Sequence, residues 1–245
     1  MIPLRSTIPP QRFPWVNYTL IGANVALFVY ERTLGARLEP FLLAYGWVPA
    51  GFSEALAHGQ VPVLAPLLIS MFLHGTWLHL FGNLLFLHIF GGNVEDRLGH
   101  LRYLCFYCLG GVVAVLVQTY VSPFAHTPMI GASGAIATVI GAYFVFYPAA
   151  RVLTVVPLLF SFRMVRVPAV CYVLLWLLLQ VLFGMSVLSA EGQDLPGVAW
   201  WAHVGGFVAG VVLGPLFLLK RKRRSRRVGL HPPLLWHNNP KSALR

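Results

Sequence analysis

The chain has 245 residues, of which 58% are hydrophobic and 10% charged, and its mean hydropathy is +0.72. Because a soluble domain carries about 25% charged residues, this composition excludes an ordinary soluble protein and indicates an integral membrane protein. The net charge of +11 is concentrated after Leu219, where nine of the eighteen Lys and Arg lie, seven of them in KRKRRSRR. We expect this run to bind anionic lipid, and no base-reading motif accompanies it to indicate nucleic acid.

Six apolar runs are each long enough to be interpreted as a membrane span. They cover residues 15–30, 76–92, 101–121, 129–147, 168–188 and 198–219. The expected fold class is therefore an all-α membrane protein, a bundle of six transmembrane helices over residues 15–219. A cytosolic segment, 1–14, lacks the apolar core of a signal peptide. The basic tail, 220–245, is expected to be cytosolic and disordered.

Two further apolar stretches are too short to span a bilayer. VPVLAPLLISMFL contains two prolines, and VLTVVPLLFSF has arginine on both sides. We expect both at the membrane interface. The first belongs to a long connection, 34–73, between spans one and two.

The arginines predict the orientation of the bundle. They occur in the N-terminal segment, in the connection between spans two and three, in the connection between spans four and five, and in the tail. The alternate connections contain mainly acidic residues. Six spans with both termini in the cytosol satisfy the positive-inside rule.

Four polar side chains are expected at one depth, near the outer face. Span two carries His79 about one turn in and Asn83 one turn further, on the same helix face. Ser133 lies about one turn into span four, and His203 one to two turns into span six. Polar groups in a bilayer are costly, so this alignment indicates a functional site.

Small residues predict which spans pack together. Span six carries Gly206, Gly210 and Gly214 at intervals of four, and span four carries Gly131 and Gly134. Such spacing lets two membrane helices approach closely. If these faces pack against each other, the histidine of span six meets the serine of span four.

This arrangement suggests acyl-transfer chemistry. A serine hydroxyl needs a base to accept its proton, and histidine is the usual one. All seven acidic residues lie at span ends or in connections, so the candidate is a Ser133–His203 dyad without an aspartate. The Ser133 amide at a helix N-terminus, the Asn83 amide and a His79 ring N–H could stabilise an oxyanion.

Plainer interpretations exist for each feature. A serine among small residues is most often a packing residue, and GxSG in soluble hydrolases follows a strand that this sequence lacks. A zinc site at His74, His79 and His88 is disfavoured because no carboxylate base accompanies them. Three cysteines in apolar runs indicate buried thiols and no disulfide framework.

Three stretches resemble the rhomboid family of intramembrane serine proteases over about residues 15–219. HGTWLHLFGNLLFLHIFGGNVEDRLG is similar to the family's second-helix pattern. GASGA is similar to its GxSG nucleophile motif, and AHVGGFVAG to its base-bearing sixth helix.

The resemblance implies a set of roles. Ser133 would be the nucleophile, His203 the general base, and His79 and Asn83 the oxyanion contacts. Independently of the resemblance, structural roles beside the site are expected for His74, Gly131, Gly134 and Gly206. The resemblance also implies that 34–73 is a membrane-embedded first outer loop, and that span five with its following loop is a substrate gate.

Two features depart from the family pattern. Some members have a tyrosine one turn after the nucleophile that stacks on the histidine, and here that residue is Ala137. Some have a Trp-Arg pair in the first loop that is not found here, so Glu95 lacks that arginine partner. We expect Glu95 to be structural, near the cytosolic end of span two.

The expected function is cleavage of transmembrane segments of other membrane proteins, favouring substrates with helix-destabilising residues. Neither a cofactor nor a metal is expected. Trp200 and Trp201 are expected at the outer interface, flanking the entrance. The alternatives are a non-catalytic protein that escorts client helices and a transporter with a histidine proton relay, the latter weakened by the lack of an internal repeat. The compact layout suggests a bacterial inner membrane, with an organelle membrane as the alternative.

Overall fold

The computed structural model describes residues 2–158, 161–189 and 198–219. The expected gate loop after span five and the basic tail fall outside the described residues. Most of the described chain is helical. The helices are α1 (Trp15–Thr33), α2 (Leu38–Tyr45), α3 (Pro49–Ala57), α4 (Ala65–Ile69), α5 (Trp77–Phe86), α6 (Gly92–Leu98), α7 (His100–Val121), α8 (Ser133–Phe146), α9 (Ala169–Ser189) and α10 (Trp200–Leu219).

Three helices of the described chain, α7, α9 and α10, are long and apolar enough to cross a membrane. A fourth span is counted if the segments Ala65–Phe72 and Trp77–Leu98, which are bent by 94° to each other, are taken together. Helix α1 has 19 residues but includes two asparagines, a glutamate and an arginine, and α8 has only 14 residues. Length and hydropathy thus support three or four spans, and the count of six stays a prediction.

A three-stranded sheet corrects the expectation of an all-α chain. Strands β1 (Ile2–Ser6), β2 (Arg151–Leu158) and β3 (Ser161–Pro168) pair antiparallel in the order β1-β2-β3. The segment expected to lie flat at the interface is therefore a hairpin. Its residues explain this, since alternation along β2 buries Val152 and Thr154 while Arg151 is exposed, and β-branched residues favour a pleated, half-buried strand.

The second expected span is longer than the sequence indicated and is not a uniform helix. Helix α5 continues through a π-helical turn, Leu87–Gly91, into α6, which ends at Leu98. At this turn the Asn17 side-chain amide of α1 donates to the Leu87 carbonyl at 3.1 Å. A polar residue inside α1 is thereby satisfied by backbone of the neighbouring helix, as the absence of water in a bilayer requires.

Glu95 holds the start of α1. Its buried carboxylate accepts from the backbone amides of Val16 at 3.0 Å and Asn17 at 2.7 Å, and from His100 Nδ1 at 2.5 Å. The first amides of a helix have no partner within it, and negative charge is favourable there. The expected structural role of Glu95 therefore has a physical basis that needs no arginine.

Helices α8 and α10 pack backbone to backbone. A Cβ atom added at Gly206 would overlap the Gly134 carbonyl oxygen, and one added at Gly210 would overlap the carbonyl oxygen of Thr138. On the other helix, a Cβ at Gly141 would overlap the Phe207 carbonyl oxygen. The close approach therefore depends on glycine on both sides, as the spacing of small residues predicted.

We expect Gly210→Ala to destabilise the protein by about 1–3 kcal/mol, because α10 must move away from α8 to accommodate the methyl group. Thermal unfolding in detergent measures this. Gly22→Ala is the matched control, since a Cβ at Gly22 has no neighbour within 4 Å and alanine is favoured in a helix by about 0.5–1 kcal/mol. Equal stability of the two variants would contradict the backbone contact.

Glu95→Ala should lower stability by about 2–3 kcal/mol, because the first amides of α1 lose a charged acceptor inside the protein. Glu54→Ala removes an exposed carboxylate and should change stability by less than about 0.5 kcal/mol. The unfolding temperatures of both variants in the same detergent distinguish the loss of the acceptor at the start of α1 from the loss of one negative charge.

Candidate active site

Ser133 and His203 meet at one end of the close contact between α8 and α10. Ser133 is the first residue of α8, and His203 lies in the first turn of α10. The Ser133 Oγ and His203 Nε2 atoms are 2.7 Å apart. His203 is buried, with 8% of its surface exposed. The buried histidine and the half-buried serine are therefore held in hydrogen-bonding contact.

The other ring nitrogen of His203 contacts a residue that the sequence analysis missed. His203 Nδ1 lies 2.7 Å from Gln180 Oε1 of α9. Gln180 Nε2 in turn donates to the Trp176 carbonyl oxygen at 3.2 Å. The group that orients the histidine was expected to be a carboxylate. A signal was nevertheless present, because Gln180 is the one residue with an amide or charged side chain in the run 168–188.

Aromatic rings, and not a tyrosine of α8, border the histidine. The Trp176 and His203 ring centroids are 6.0 Å apart at 31°, and the Trp200 ring meets His203 edge-on at 6.3 Å. Ala137, which stands where some rhomboids carry tyrosine, is fully buried and faces Gly206. A larger residue there would displace α10, so the close helix contact explains why the brace comes from elsewhere.

The tryptophans expected at the outer interface pack between helices. Trp200 stacks on Phe183 of α9 with 5.0 Å between centroids. A Cβ added at Gly184 would lie 3.1 Å from the Trp201 ring. Both tryptophans are therefore part of the contact between α9 and α10 beside His203.

Asn83 is oriented by His74. Asn83 Nδ2 lies 2.9 Å from His74 Nε2, and His74 Nδ1 lies 3.2 Å from the Phe72 carbonyl oxygen. Because a carbonyl only accepts, Nδ1 carries the proton, and Nε2 accepts from the asparagine. The His74 backbone amide donates to the Glu31 carboxylate at 3.2 and 3.3 Å. These bonds fix the Asn83 amide through a buried chain of contacts that ends in α1.

His79 lies against the backbone just before Ser133. A Cβ at Gly131 would lie 2.6 Å from His79 Nε2 and 3.6 Å from Asn83 Nδ2. The Gly131 backbone has a φ of +122°, a conformation that favours glycine, and its amide donates to the Ser70 carbonyl at 2.8 Å. The structure thus brings His79, Asn83 and the start of α8 together, two residues before the serine hydroxyl.

The remaining candidates lie apart from this cluster or serve packing. Gly134 faces Ala114 and Ala202. The His88 ring lies 6.1 Å from that of Tyr18, tilted by 56°, near the beginning of α1. Within the described residues, no group of three His, Cys, Asp or Glu could hold a metal ion. The three cysteines, which all lie in this part of the chain, are unpaired, with Cys105 and Cys171 exposed.

The fold and the site define a polytopic membrane protein with a serine–histidine pair held between two closely packed helices. The model of the rhomboid domain family matches residues 62–220 of this chain. This match covers well over half of the sequence, and the chain belongs to the rhomboid family.

Curated relatives support this assignment. RHOMBOID-like protein 5 of Arabidopsis thaliana is 29% identical over 238 residues, which cover 86% of this chain and 71% of that protein. Rhomboid-like protease 3 of Toxoplasma gondii is 28% identical over 193 residues, 78% of this chain and 65% of that protein. The human mitochondrial presenilin-associated rhomboid-like protein is 32% identical over 146 residues, 58% of this chain and 36% of that protein.

The chain therefore spans about two thirds or less of the length of several relatives that it matches. These relatives come from a plant, from Toxoplasma gondii and from a mitochondrion. They support a membrane protein and give no support to the bacterial inner membrane that the layout suggested.

Gly131→Ala should disturb the site locally. The new methyl group would meet the His79 ring, at an overpacking cost of about 1–3 kcal/mol, in addition to the strain of the positive φ. Gly99→Ala is the matched control, because Gly99 also has a positive φ of 87° but no neighbour within 4 Å of an added Cβ. Thermal unfolding in detergent should show a larger loss for Gly131→Ala, and equal losses would exclude the contact.

Proposed function

We propose that this rhomboid-family protein is an intramembrane serine endopeptidase that uses a Ser133–His203 dyad. The contact of 2.7 Å between Ser133 Oγ and His203 Nε2 carries this proposal. In the reaction, the hydroxyl attacks the substrate carbonyl while Nε2 accepts its proton. The resulting imidazolium then protonates the leaving amine, and a water molecule hydrolyses the acyl-enzyme.

The groups around the start of α8 are suited to stabilising the oxyanion. The first backbone amides of a helix have no acceptor within the helix and favour negative charge. Asn83 has one amide hydrogen left after its bond to His74, and His79 lies within reach of the same backbone. We assign the Ser133 amide, Asn83 and His79 to this role. Such hydrogen-bond donors stabilise the negative charge of the transition state more than the neutral carbonyl of the bound substrate.

The expected substrates are transmembrane segments of other proteins. Helix α9 is the least buried of the three long apolar helices. In its apolar stretch 22% is buried, compared with 39% in the apolar stretches of α7 and α10. Several leucines of α9 are exposed and well suited to lipid or to a substrate helix, among them Leu174, Leu178 and Leu182. Because a helix hides its carbonyls in its own hydrogen bonds, segments with helix breakers should be cleaved preferentially.

The membrane arrangement belongs to the same proposal. We infer six spans with both termini cytosolic, α1 and α8 completing the bundle, and the segment 34–73 embedded as the first outer loop. Helices α2 and α3 of that segment present exposed apolar side chains such as Leu43 and Leu56, which would be unfavourable in water and suit a membrane interface. One relative is itself named a rhomboid-like protease.

A fluorophosphonate probe tests this function, because it reacts only with an activated serine. The solubilised wild-type protein should be labelled, Ser133→Ala should not be labelled, and His203→Ala should be labelled at least about 100-fold more slowly, since the base is lost. Ser122→Ala, at the end of α7, is the control that retains labelling.

Cleavage of a model transmembrane substrate in proteoliposomes should follow the same order. A wild-type protein that is neither labelled nor active, while it unfolds at the same temperature as Ser133→Ala, would exclude the protease function. Such a result would favour the alternative of a protein that binds client helices without cutting them.

A further inference from the structure

We propose that Gln180 is a positioning residue that holds His203 in the tautomer needed to accept the Ser133 proton. The proposal rests on the protease function inferred above and names a third member of its site. The evidence is a continuous chain of hydrogen bonds from α9 through His203 to Ser133, in which the Gln180 and His203 side chains are buried.

The orientation of the Gln180 amide follows from its two contacts. Nε2 lies 3.2 Å from the Trp176 carbonyl oxygen, which can only accept, so this end of the amide must be the donor. The opposite end is then the oxygen Oε1, which lies 2.7 Å from His203 Nδ1. Rotating the amide by 180° would bring its oxygen against the carbonyl oxygen of Trp176.

The tautomer of His203 follows from this orientation. An oxygen at Gln180 requires a proton on Nδ1, which leaves the Nε2 lone pair directed at the hydroxyl of Ser133 at 2.7 Å. The opposite tautomer would place a proton on Nε2 and leave the histidine unable to act as a base. Gln180 is only 6% exposed, so water cannot readily replace it as the acceptor.

A neutral acceptor suits this position. When Nε2 takes the serine proton, the imidazolium keeps its Nδ1–H bond to the carbonyl oxygen of the amide, whose dipole stabilises the positive charge. A carboxylate would do this more strongly but would itself need to be buried as a charge, which is costly in the membrane. Gln180 therefore supplies the acceptor in a site where no acidic residue of the described ranges 2–158, 161–189 and 198–219 is bonded to His203.

The same contacts link the base to the position of α9. Both Gln180 and the Trp176 ring that borders His203 belong to α9, whereas Ser133 and His203 are held by α8 and α10. If α9 moves outward to admit a substrate helix, the histidine loses its hydrogen-bond acceptor and one neighbouring ring. The dyad is fully oriented only when α9 has packed back against α10.

Two substitutions of similar size separate positioning from packing. Gln180→Glu keeps an oxygen that can accept from Nδ1, and Gln180→Met keeps the volume but has no such oxygen. We expect Gln180→Met to have a lower kcat for a model transmembrane substrate than both wild type and Gln180→Glu, because it alone lacks an acceptor for Nδ1. The Gln180→Met value should be about 10- to 100-fold below wild type, with KM unchanged because the interaction acts on the base.

The rate of fluorophosphonate labelling should likewise be lowest in Gln180→Met. Ser186→Ala is the control on α9, since its exposed hydroxyl donates to the Phe183 carbonyl of its own helix at 2.8 Å, and it should behave as wild type. Thermal unfolding of each variant shows whether it is folded.

The outcomes distinguish the two proposals. Suppose that wild type is labelled, that Ser133→Ala is not, and that Gln180→Met is labelled as fast as wild type or faster than Gln180→Glu. This result would overturn the positioning role and leave the protease function intact. A wild type that is never labelled would overturn the protease function itself. If Gln180→Met fails to fold, the comparison of Gln180→Glu with Gln180→Asn decides, because the shorter Asn cannot reach Nδ1 and should be the slower of the two.

Discussion

The backbone contact between α8 and α10 is the constraint on which the site depends. Glycines on both helices let the carbonyl oxygens of one helix lie against the Cα atoms of the other. Only at this separation can the first residue of α8 reach a histidine in the first turn of α10. Other parts of the chain then complete the site: α5 with Asn83 and His79, and α9 with Gln180. Each of these contacts presupposes the spacing that the glycines allow.

The two buried glutamates of the described chain accept hydrogen bonds from backbone amides. At one end of α1 the Glu95 carboxylate receives backbone amides, and near the other end Glu31 receives the amide of His74. His74 then orients Asn83. In a bilayer an unsatisfied polar group costs several kcal/mol. Helix α1 contributes no residue to the dyad, yet its contacts help to determine the geometry around the dyad.

The sequence predicted most of the cluster because the argument used depth. Counting turns from the span ends placed Ser133, His203, His79 and Asn83 at one level, and the structure brings these four side chains into one region. The spacing of glycines also predicted which two helices meet. Both inferences rely on helix periodicity, which is local and can be read directly from the residues.

Other features could not be obtained in this way. Gln180 was missed because the partner of the base was expected to be a carboxylate. An evenly apolar helix also gives no amphipathic signal that its one amide side chain points inward. The hairpin was missed because a short apolar run between arginines fits a strand and an interfacial helix equally well. Its pairing with β1 joins residues separated by about 150 positions, and no local pattern reports such a contact.

The sheet has a consequence for where this protein can be divided. The family match begins at residue 62, yet the first residues of the chain are bound to the matched part. Residues 2–6 pair with β2, the Ser6 hydroxyl lies 2.6 Å from the hydroxyl of Tyr143 in α8, and Asn93 donates to the Ile8 carbonyl. The region of sequence similarity is therefore shorter than the region whose residues contact one another in the folded protein. A fragment trimmed to the matched region would lack an edge strand and would leave a buried carboxylate without its amides, so the smallest autonomous unit is longer than the one that sequence comparison outlines.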